Sequence, residues 1–344
     1  MSKVVLNNGR EISNFSDPYF IAEFNSSHFG SLDTARKMIE EAKKCGCDCV
    51  KFQSWSADTL YSEGYYRKNP IAKRMVDKFA LKGSELKLLA AYCSKIGIDF
   101  SSTPYSLDEA MFLVKECNVP FLKIASMELN NLPFLRELAN LKMPLVLSTG
   151  MGQIDEICSA VETITSAGNS ELIVLHCTAV YPSEFDIIRL KNISGLRDLF
   201  PQLLIGYSDH SIGIEIPTAA IALGARVIEK HFTLDNSKIG LDNQMATEPN
   251  EMKKMVRACI NVHKALGGRN RVLSNSELAM KPKMRRSIVT KRDLRAGEKI
   301  ELGKIEFKRP GDGIPPTDLE RILGKQVNRD INHGELIEFK DIDL

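Results

Sequence analysis

The chain has 344 residues, of which 43% are hydrophobic and 26% charged, with a formal net charge of +2. That length holds one large domain and a small one, and so even a charge balance argues against a binder of nucleic acid or of an anionic membrane surface. No apolar run reaches the roughly 18 to 20 residues of a bilayer span and no N-terminal signal segment is visible, so the expected location is the cytoplasm. The eight cysteines form no CxxC pair, which suits a reducing compartment. Cys45, Cys47 and Cys49 alternate at a helix-to-strand junction, a spacing that reads as structural thiols rather than a metal cluster.

Taken in order, short β-rich apolar runs fall at 19–24, 48–53, 98–102, 121–125, 145–148, 172–176, 203–207 and 226–230. Each is too short for a helix and nearly continuous in apolar character, as strands covered on both faces are. Amphipathic segments lie between them at 32–44, 83–95, 107–116, 133–141, 154–166, 187–199 and 212–223, and another, 250–266, follows the last strand. Ser31 and Ser106 stand where N-caps belong. Eight strands, each followed by a helix, predict an α/β protein, a closed (β/α)8 TIM barrel over 1–268. Neither GxGxxG nor GxxxxGK[ST] occurs, so dinucleotide and P-loop folds lack their phosphate cradles. The connection 55–83 is the longest, and a long loop after a barrel strand lies on the active face.

The remainder changes character. A polar stretch, 269–283, containing Pro282, reads as a linker. The segment 284–344 is turn-rich and mildly basic, with 15 Lys and Arg against 12 Asp and Glu over 281–344. It echoes itself: RDLRAGEKIE from Arg292 matches RDINHGELIE from Arg329 at six of ten positions, 37 residues on. Two similar units predict a small pseudo-symmetric β domain.

A barrel places its chemistry at the C-terminal strand ends. Read in order, these carry Glu23, Asn25 and His28; Lys51 and Gln53; Ser102 and Thr103; Lys123, Ser126 and Glu128; Ser148 and Thr149; His176, Thr178 and Tyr181; Ser208, Asp209 and His210; and Glu229, Lys230 and His231. Singly, each has a structural reading, as a helix cap or a snorkelling side chain. Together, Lys51, Lys123 and Lys230 would repel one another unless an anion sat between them, which points to a phosphate or carboxylate substrate. Ser148 and the backbone after it add anion contacts. His210 and His231 end neighbouring strands. Two imidazoles there, with Glu23 or Asp242 nearby, suit an open catalytic site for a divalent ion such as Mn²⁺, Co²⁺ or Zn²⁺. Asp209 and His210 in GYSDHS also fit a helix cap.

The segments AEFNSSH, VKFQ, SSTPYS, LKIASMELNN, LSTGM, LHCTAVYP, GYSDHSIG, ALGARVIEKHFTLD and KRPGDGIPP resemble, in order and over the whole chain, the sialic acid synthase family. The resemblance implies a TIM barrel followed by a small β-rich antifreeze-like (SAF, β-clip) domain. It implies a homodimer in which the small domain of one copy covers the barrel mouth of the other. The implied reaction joins phosphoenolpyruvate to an open-chain N-acylated hexose, giving a nine-carbon 2-keto-3-deoxy acid and phosphate. The implied cofactor is Mn²⁺, with Mg²⁺ or Co²⁺ as alternatives, held by His210 and His231. Glu23, His231 and Asp242 match the family's catalytic positions. Lys51, Thr103, Lys123, Ser126, Ser148 and Ser208 match its phosphoenolpyruvate contacts, and Gln53, Tyr181, Asp242 and Arg309 its sugar contacts. Three departures, Ser27, Ala179 and the GLDN run of Leu241 and Asn243, fall on the sugar side. They leave N-acetylmannosamine and a diacetamido-trideoxyhexose both open as acceptor. A metal-dependent or Schiff-base pyruvate aldolase, and a non-catalytic carbohydrate binder, are the alternative readings.

Overall fold

An antiparallel hairpin opens the computed structural model, which describes residues 2–268 and 270–343. Its strands, β1 (Lys3–Val5) and β2 (Glu11–Ser13), lie outside the strand pattern expected from sequence. Val4, Leu6 and Ile12 pack against Tyr19, Ile21, Phe121, Ile173 and Val227 inside the barrel. The hairpin is therefore a plug that removes apolar surface from water at the N-terminal end of the barrel strands, opposite the cavity. The expected boundaries at residues 1, 269 and 344 lie outside the described residues.

Eight parallel strands follow: β3 (Tyr19–Glu23), β4 (Cys49–Gln53), β5 (Asp99–Thr103), β6 (Leu122–Ile124), β7 (Leu145–Ser148), β8 (Leu172–Cys177), β9 (Leu204–Asp209) and β10 (Val227–His231). Their order is β5-β4-β3-β10-β9-β8-β7-β6. At the seam, the Ser101 hydroxyl donates to the Phe121 carbonyl at 2.9 Å. This is the expected (β/α)8 barrel, with the first and last strands paired in register His231 to Glu23. Helices cover the outside. Leu32–Lys44 begins at the Ser31 cap, whose hydroxyl accepts from the Thr34 amide at 3.2 Å. It buries Ala35, Met38, Ile39 and Ala42, one helical stripe.

Side chains alternate along each strand, one inward and one outward. On β9, Gly206 faces inward, where an added Cβ would stand 2.5 Å from Leu175 Cδ2 and 2.6 Å from the Val227 carbonyl. Only glycine fits there. The long connection after β4 folds into three short helices, Ala57–Leu60, Glu63–Lys68 and Pro70–Phe79.

The chain divides into two units, one ending at Gly267 and the other beginning at Gly268. The stretch read as a linker instead carries a helix, Asn275–Met284. Ser274 and Glu277 form a reciprocal capping box at its start, and Pro282 falls in its last turn, where few backbone bonds remain to be broken. In the second unit, β11 (Ser287–Thr290) pairs with β12 (Ile305–Lys308). The sequence echo becomes a pseudo-twofold. Leu294 and Ile331 exchange backbone hydrogen bonds of 2.9 Å in both directions. Asp293 accepts from the His333 amide at 2.7 Å, and Asp330, its equivalent, from the Ala296 amide at 2.9 Å. Gly297 and Gly334 both have φ of +83°, the left-handed turn that makes glycine the matched residue in both copies. The core between the copies is rich in isoleucine, including Ile288, Ile300, Ile314 and Ile337.

Candidate active site

At the C-terminal strand ends the barrel opens into a cavity of about 500 Å³. The alternation on β10 decides what faces it. Glu229 and His231 point in, and Lys230 between them points out. Lys230 is buried behind the sheet, where it pairs with Asp209 and donates to the Ser211 carbonyl at 2.7 Å. The expected third lysine of the mouth is thus a structural ion pair. Asp209 is likewise structural: it also accepts from the Ser211 amide at 3.0 Å and from the Tyr207 hydroxyl at 3.1 Å.

The remaining two lysines already have anions between them. Lys51 pairs with Glu23 and lies 3.8 Å from Glu229, while Lys123 lies 3.6 Å from Glu229. All four side chains are buried, so the cluster amounts to two cations and two carboxylates removed from water. The mutual repulsion expected of bare lysines is answered by the protein itself. Burial opposes the charge on Lys51, but Glu229 and Glu23 outweigh it and raise its pKa. Burial would raise Glu229, yet Lys123 and Lys51 hold it below the usual carboxylate range. Burial wins at Glu23, whose pKa is raised despite Lys51, and at Lys123, whose pKa is lowered despite Glu229. Glu23 is the carboxylate most ready to take a proton and Lys123 the ammonium most ready to lose one.

The hydroxyls attach to this network. Ser148 accepts from Lys123 at 2.7 Å, Thr103 from Lys51 at 3.1 Å, and Ser208 donates to Glu229 at 3.0 Å. Ser126 accepts from the Gly150 amide at 2.9 Å and faces Cys177 Sγ at 3.6 Å. On the other side, Glu23 Oε1 accepts from the Asn25 amide at 3.0 Å and from Gln53 Nε2 at 2.9 Å.

His210 and His231 face the same cavity, their ring centroids 5.3 Å apart. A carbonyl oxygen only accepts, so His210 Nδ1, 2.8 Å from the Thr178 carbonyl, carries the proton. Burial opposes charge on His210, but Cys177 and the Thr178 carbonyl outweigh it and raise its pKa; once the ring gives up its second proton, the Nε2 lone pair serves a ligand. Burial, followed by the neighbouring His210, pushes His231 well below its ordinary pKa, so it is neutral. Metal–imidazole bonds are about 2.1 Å long, and two rings at this separation can share one ion that displaces the His210 proton. Among the described residues, no cluster of three or more His, Cys, Asp or Glu is placed to hold a metal. The remaining positions on a divalent ion would belong to water or substrate, as in a catalytic site. Asp242 lines the cavity and is held by the Asn25 side-chain amide. Burial raises its pKa against the pull of His210. Tyr181 is half-exposed at the mouth, its ring 4.2 Å from that of His210. Arg309 belongs to the second unit, exposed, beside a cis bond to Pro310. His28 is occupied locally, its Nδ1 accepting from the Gly30 amide at 3.1 Å.

Three features escaped the sequence reading, and Glu229 was named there without a role. Its spacing of two from His231 puts both on the inward face. Cys177 lines the cavity by the same alternation on β8. The helices after β4 bring Leu60, Tyr61, Tyr65, Met75 and Val76 over it, an apolar roof. Tyr105 reaches Gln53 from the loop after β5. Two expected sugar-side differences, Ser27 and Asn243, do not line the cavity. Asn243 is fully buried, its amide donating to the Asp235 and Lys238 carbonyls at 2.8 Å each, so it shapes the loop instead. Ala179 and Leu241 do line the cavity.

Residues 38–271 match the family model described as NeuB family, and residues 285–343 the SAF domain. The N,N'-diacetyllegionaminic acid synthase of Legionella pneumophila is 37% identical over 338 residues, covering 94% of each chain. The pseudaminic acid synthase of Campylobacter jejuni strain 81-176 is 33% identical over 344 residues, covering 96% of this chain and 99% of the relative. The crystal structure of the N-acetylneuraminic acid synthetase of Leptospira borgpetersenii, in complex with citrate, superposes with a TM-score of 0.75. It is 33% identical and covers 81% of this chain and 94% of that one.

Proposed function

This chain belongs to the NeuB family and carries a C-terminal SAF domain, and from that premise we propose that it is a nonulosonic acid synthase. It joins phosphoenolpyruvate to an open-chain N-acylated hexose and releases phosphate. The observation that carries the reading is the convergence of Lys51, Lys123, His210 and His231 on one cavity at the barrel mouth.

Lys51, Lys123 and the hydroxyls of Thr103, Ser126, Ser148 and Ser208 take the carboxylate and phosphate of phosphoenolpyruvate. Positive donors fixed before the reaction stabilise the departing phosphate without reorganising. The enol carbon attacks the aldehyde carbon, forming the new C–C bond and leaving positive charge on the carbon that bears the phosphate oxygen. Water adds to that carbon, and Glu23 accepts its proton. The resulting intermediate expels phosphate by C–O cleavage as its hydroxyl proton passes to the departing phosphate, becoming the 2-keto acid, and the alkoxide left on the former aldehyde oxygen takes up the proton held by Glu23. Gln53, Tyr181 and Asp242 hold the sugar. His210 and His231 would hold a divalent ion, Mn²⁺ with Mg²⁺ or Co²⁺ as alternatives, which when bound polarises the aldehyde oxygen.

The apolar roof favours an acceptor with few hydroxyls and more than one acetamido methyl, a diacetamido-trideoxyhexose ahead of N-acetylmannosamine. The test is phosphate release from phosphoenolpyruvate and Mn²⁺ with each sugar in turn, followed by mass spectrometry of the product. Pyruvate serving in place of phosphoenolpyruvate would instead identify an aldolase, and borohydride trapping would expose a Schiff base. Replacing His231 by Ala is expected to lower turnover by about 10³-fold, the scale of losing a metal-borne charge stabilisation, and to abolish the response to added Mn²⁺. Activity that survives both this substitution and chelation would remove the metal from the account.

The active form is proposed to be a cytoplasmic homodimer in which Arg309 of one copy reaches the sugar bound by the other. Analytical ultracentrifugation showing only monomer in an active preparation would contradict this.

A further inference from the structure

A single line of hydrogen bonds runs from the roof helices to Glu23. Thr59, in the first roof helix, donates its hydroxyl to Glu109 at 2.7 Å. The other oxygen of Glu109 accepts from the Tyr105 amide at 2.6 Å, fixing the loop after β5. The Tyr105 hydroxyl then donates to Gln53 Oε1 at 3.1 Å, and Gln53 Nε2 donates to Glu23 Oε1 at 2.9 Å. The ring of Tyr105 rests 6.3 Å from that of Trp55 and lines the cavity.

The chemistry of this line has a direction. The terminal amide of glutamine has two ends of similar shape and opposite polarity. Beside a carboxylate, only the NH₂ end is favourable, so the carbonyl end must point away. In this cavity it points at Tyr105, and the phenol is the donor that satisfies it. Remove that donor and the half-buried carbonyl loses its partner, and the amide has less reason to keep its NH₂ on Glu23. Glu23 would keep Lys51 and the Asn25 amide but lose one of the bonds that fix its oxygens.

We propose that Tyr105 is a positioning residue for Glu23, acting through the side-chain amide of Gln53. The inference rests on the synthase reading, in which Glu23 moves the proton of the attacking water. Lys51 meets the line only through its ion pair with Glu23, which does not depend on the Tyr105 hydroxyl, so the anchoring of phosphoenolpyruvate is expected to change little.

The test is a double-mutant cycle on the full chain. Tyr105→Phe keeps the ring and removes one hydroxyl. It is expected to lower kcat by about 10- to 100-fold, the range of losing a hydrogen bond that supports a charged group, with KM for phosphoenolpyruvate within about twofold. In a Gln53→Leu background the same change is expected to alter kcat by less than about twofold. An equal loss in both backgrounds would mean that Tyr105 acts without Gln53, and no loss in either would mean that it positions nothing; both overturn the inference. If the wild-type chain releases no phosphate with any sugar, the synthase reading itself has failed. The Gln53 side-chain amide NMR signal, assigned by its loss in Gln53→Leu, then reads the positioning directly. It is expected to shift in Tyr105→Phe, and an unmoved signal overturns the proposal.

Discussion

Lys123→Met is expected to lower kcat/KM for phosphoenolpyruvate by about 10²- to 10³-fold, the usual scale for one preorganised charged donor in a water-excluded site, and to leave the acceptor KM within about twofold. Methionine matches the length and burial of the lysine stem, so the change isolates the ammonium. That ammonium touches three groups at once: Ser148 at 2.7 Å, the Ile124 carbonyl at 3.2 Å and Glu229 at 3.6 Å. Without it, Glu229 keeps the Ser208 hydroxyl and, of the two lysines, the more distant Lys51 at 3.8 Å. A carboxylate that was balanced then projects uncompensated charge toward an incoming trianion. The loss therefore combines a missing attraction with a new repulsion, and both fall on phosphoenolpyruvate. Steady-state kinetics with each substrate varied in turn checks this. A loss confined to the acceptor KM would show that Lys123 serves the sugar.

Lys230→Met is expected to act on stability and not on chemistry. The pair it forms with Asp209 is fully buried behind β9 and β10, and removing one partner of such a pair destabilises by about 3 to 5 kcal/mol because the other charge stays buried alone. Asp209 would retain its bonds from Ser211 and Tyr207 but not its counter-ion. Denaturant unfolding is expected to show the loss, while kcat per folded molecule changes by less than about threefold. Adding Asp209→Asn, which removes the orphaned charge but keeps the accepting oxygen, is expected to recover part of the stability. A selective fall in kcat/KM for phosphoenolpyruvate at unchanged stability would return Lys230 to the mouth of the barrel.

These two lysines show how far the sequence can be read. Lys123 and Lys230 look alike as text, each near a strand end after apolar residues. What separates them is parity. Glu229 and His231 claim the inward face of β10, and strand alternation then assigns Lys230 to the outward one. The barrel itself was legible because eight short β-rich runs alternated with capped amphipathic helices, and the small domain because it nearly repeats itself. The N-terminal hairpin was not, since three-residue strands carry almost no periodicity. The helix at Asn275–Met284 was hidden by a polar composition and a proline that happens to fall in its last turn. The roof was expected as a long loop, but which of its side chains cover the cavity depends on how three short helices pack, a tertiary matter. The carboxylates that balance Lys51 and Lys123 come from β3 and β10, far apart in sequence and neighbours only once the barrel closes.

The proposed reaction condenses phosphoenolpyruvate with a sugar aldehyde in this cavity and breaks the C–O bond. It is tested most directly with phosphoenolpyruvate carrying ¹⁸O in its bridging oxygen, turned over with the acceptor that supports phosphate release. The label is expected to leave in the inorganic phosphate, in proportion to the nine-carbon acid formed. Label retained in the organic product, through attack of water at phosphorus, would contradict it.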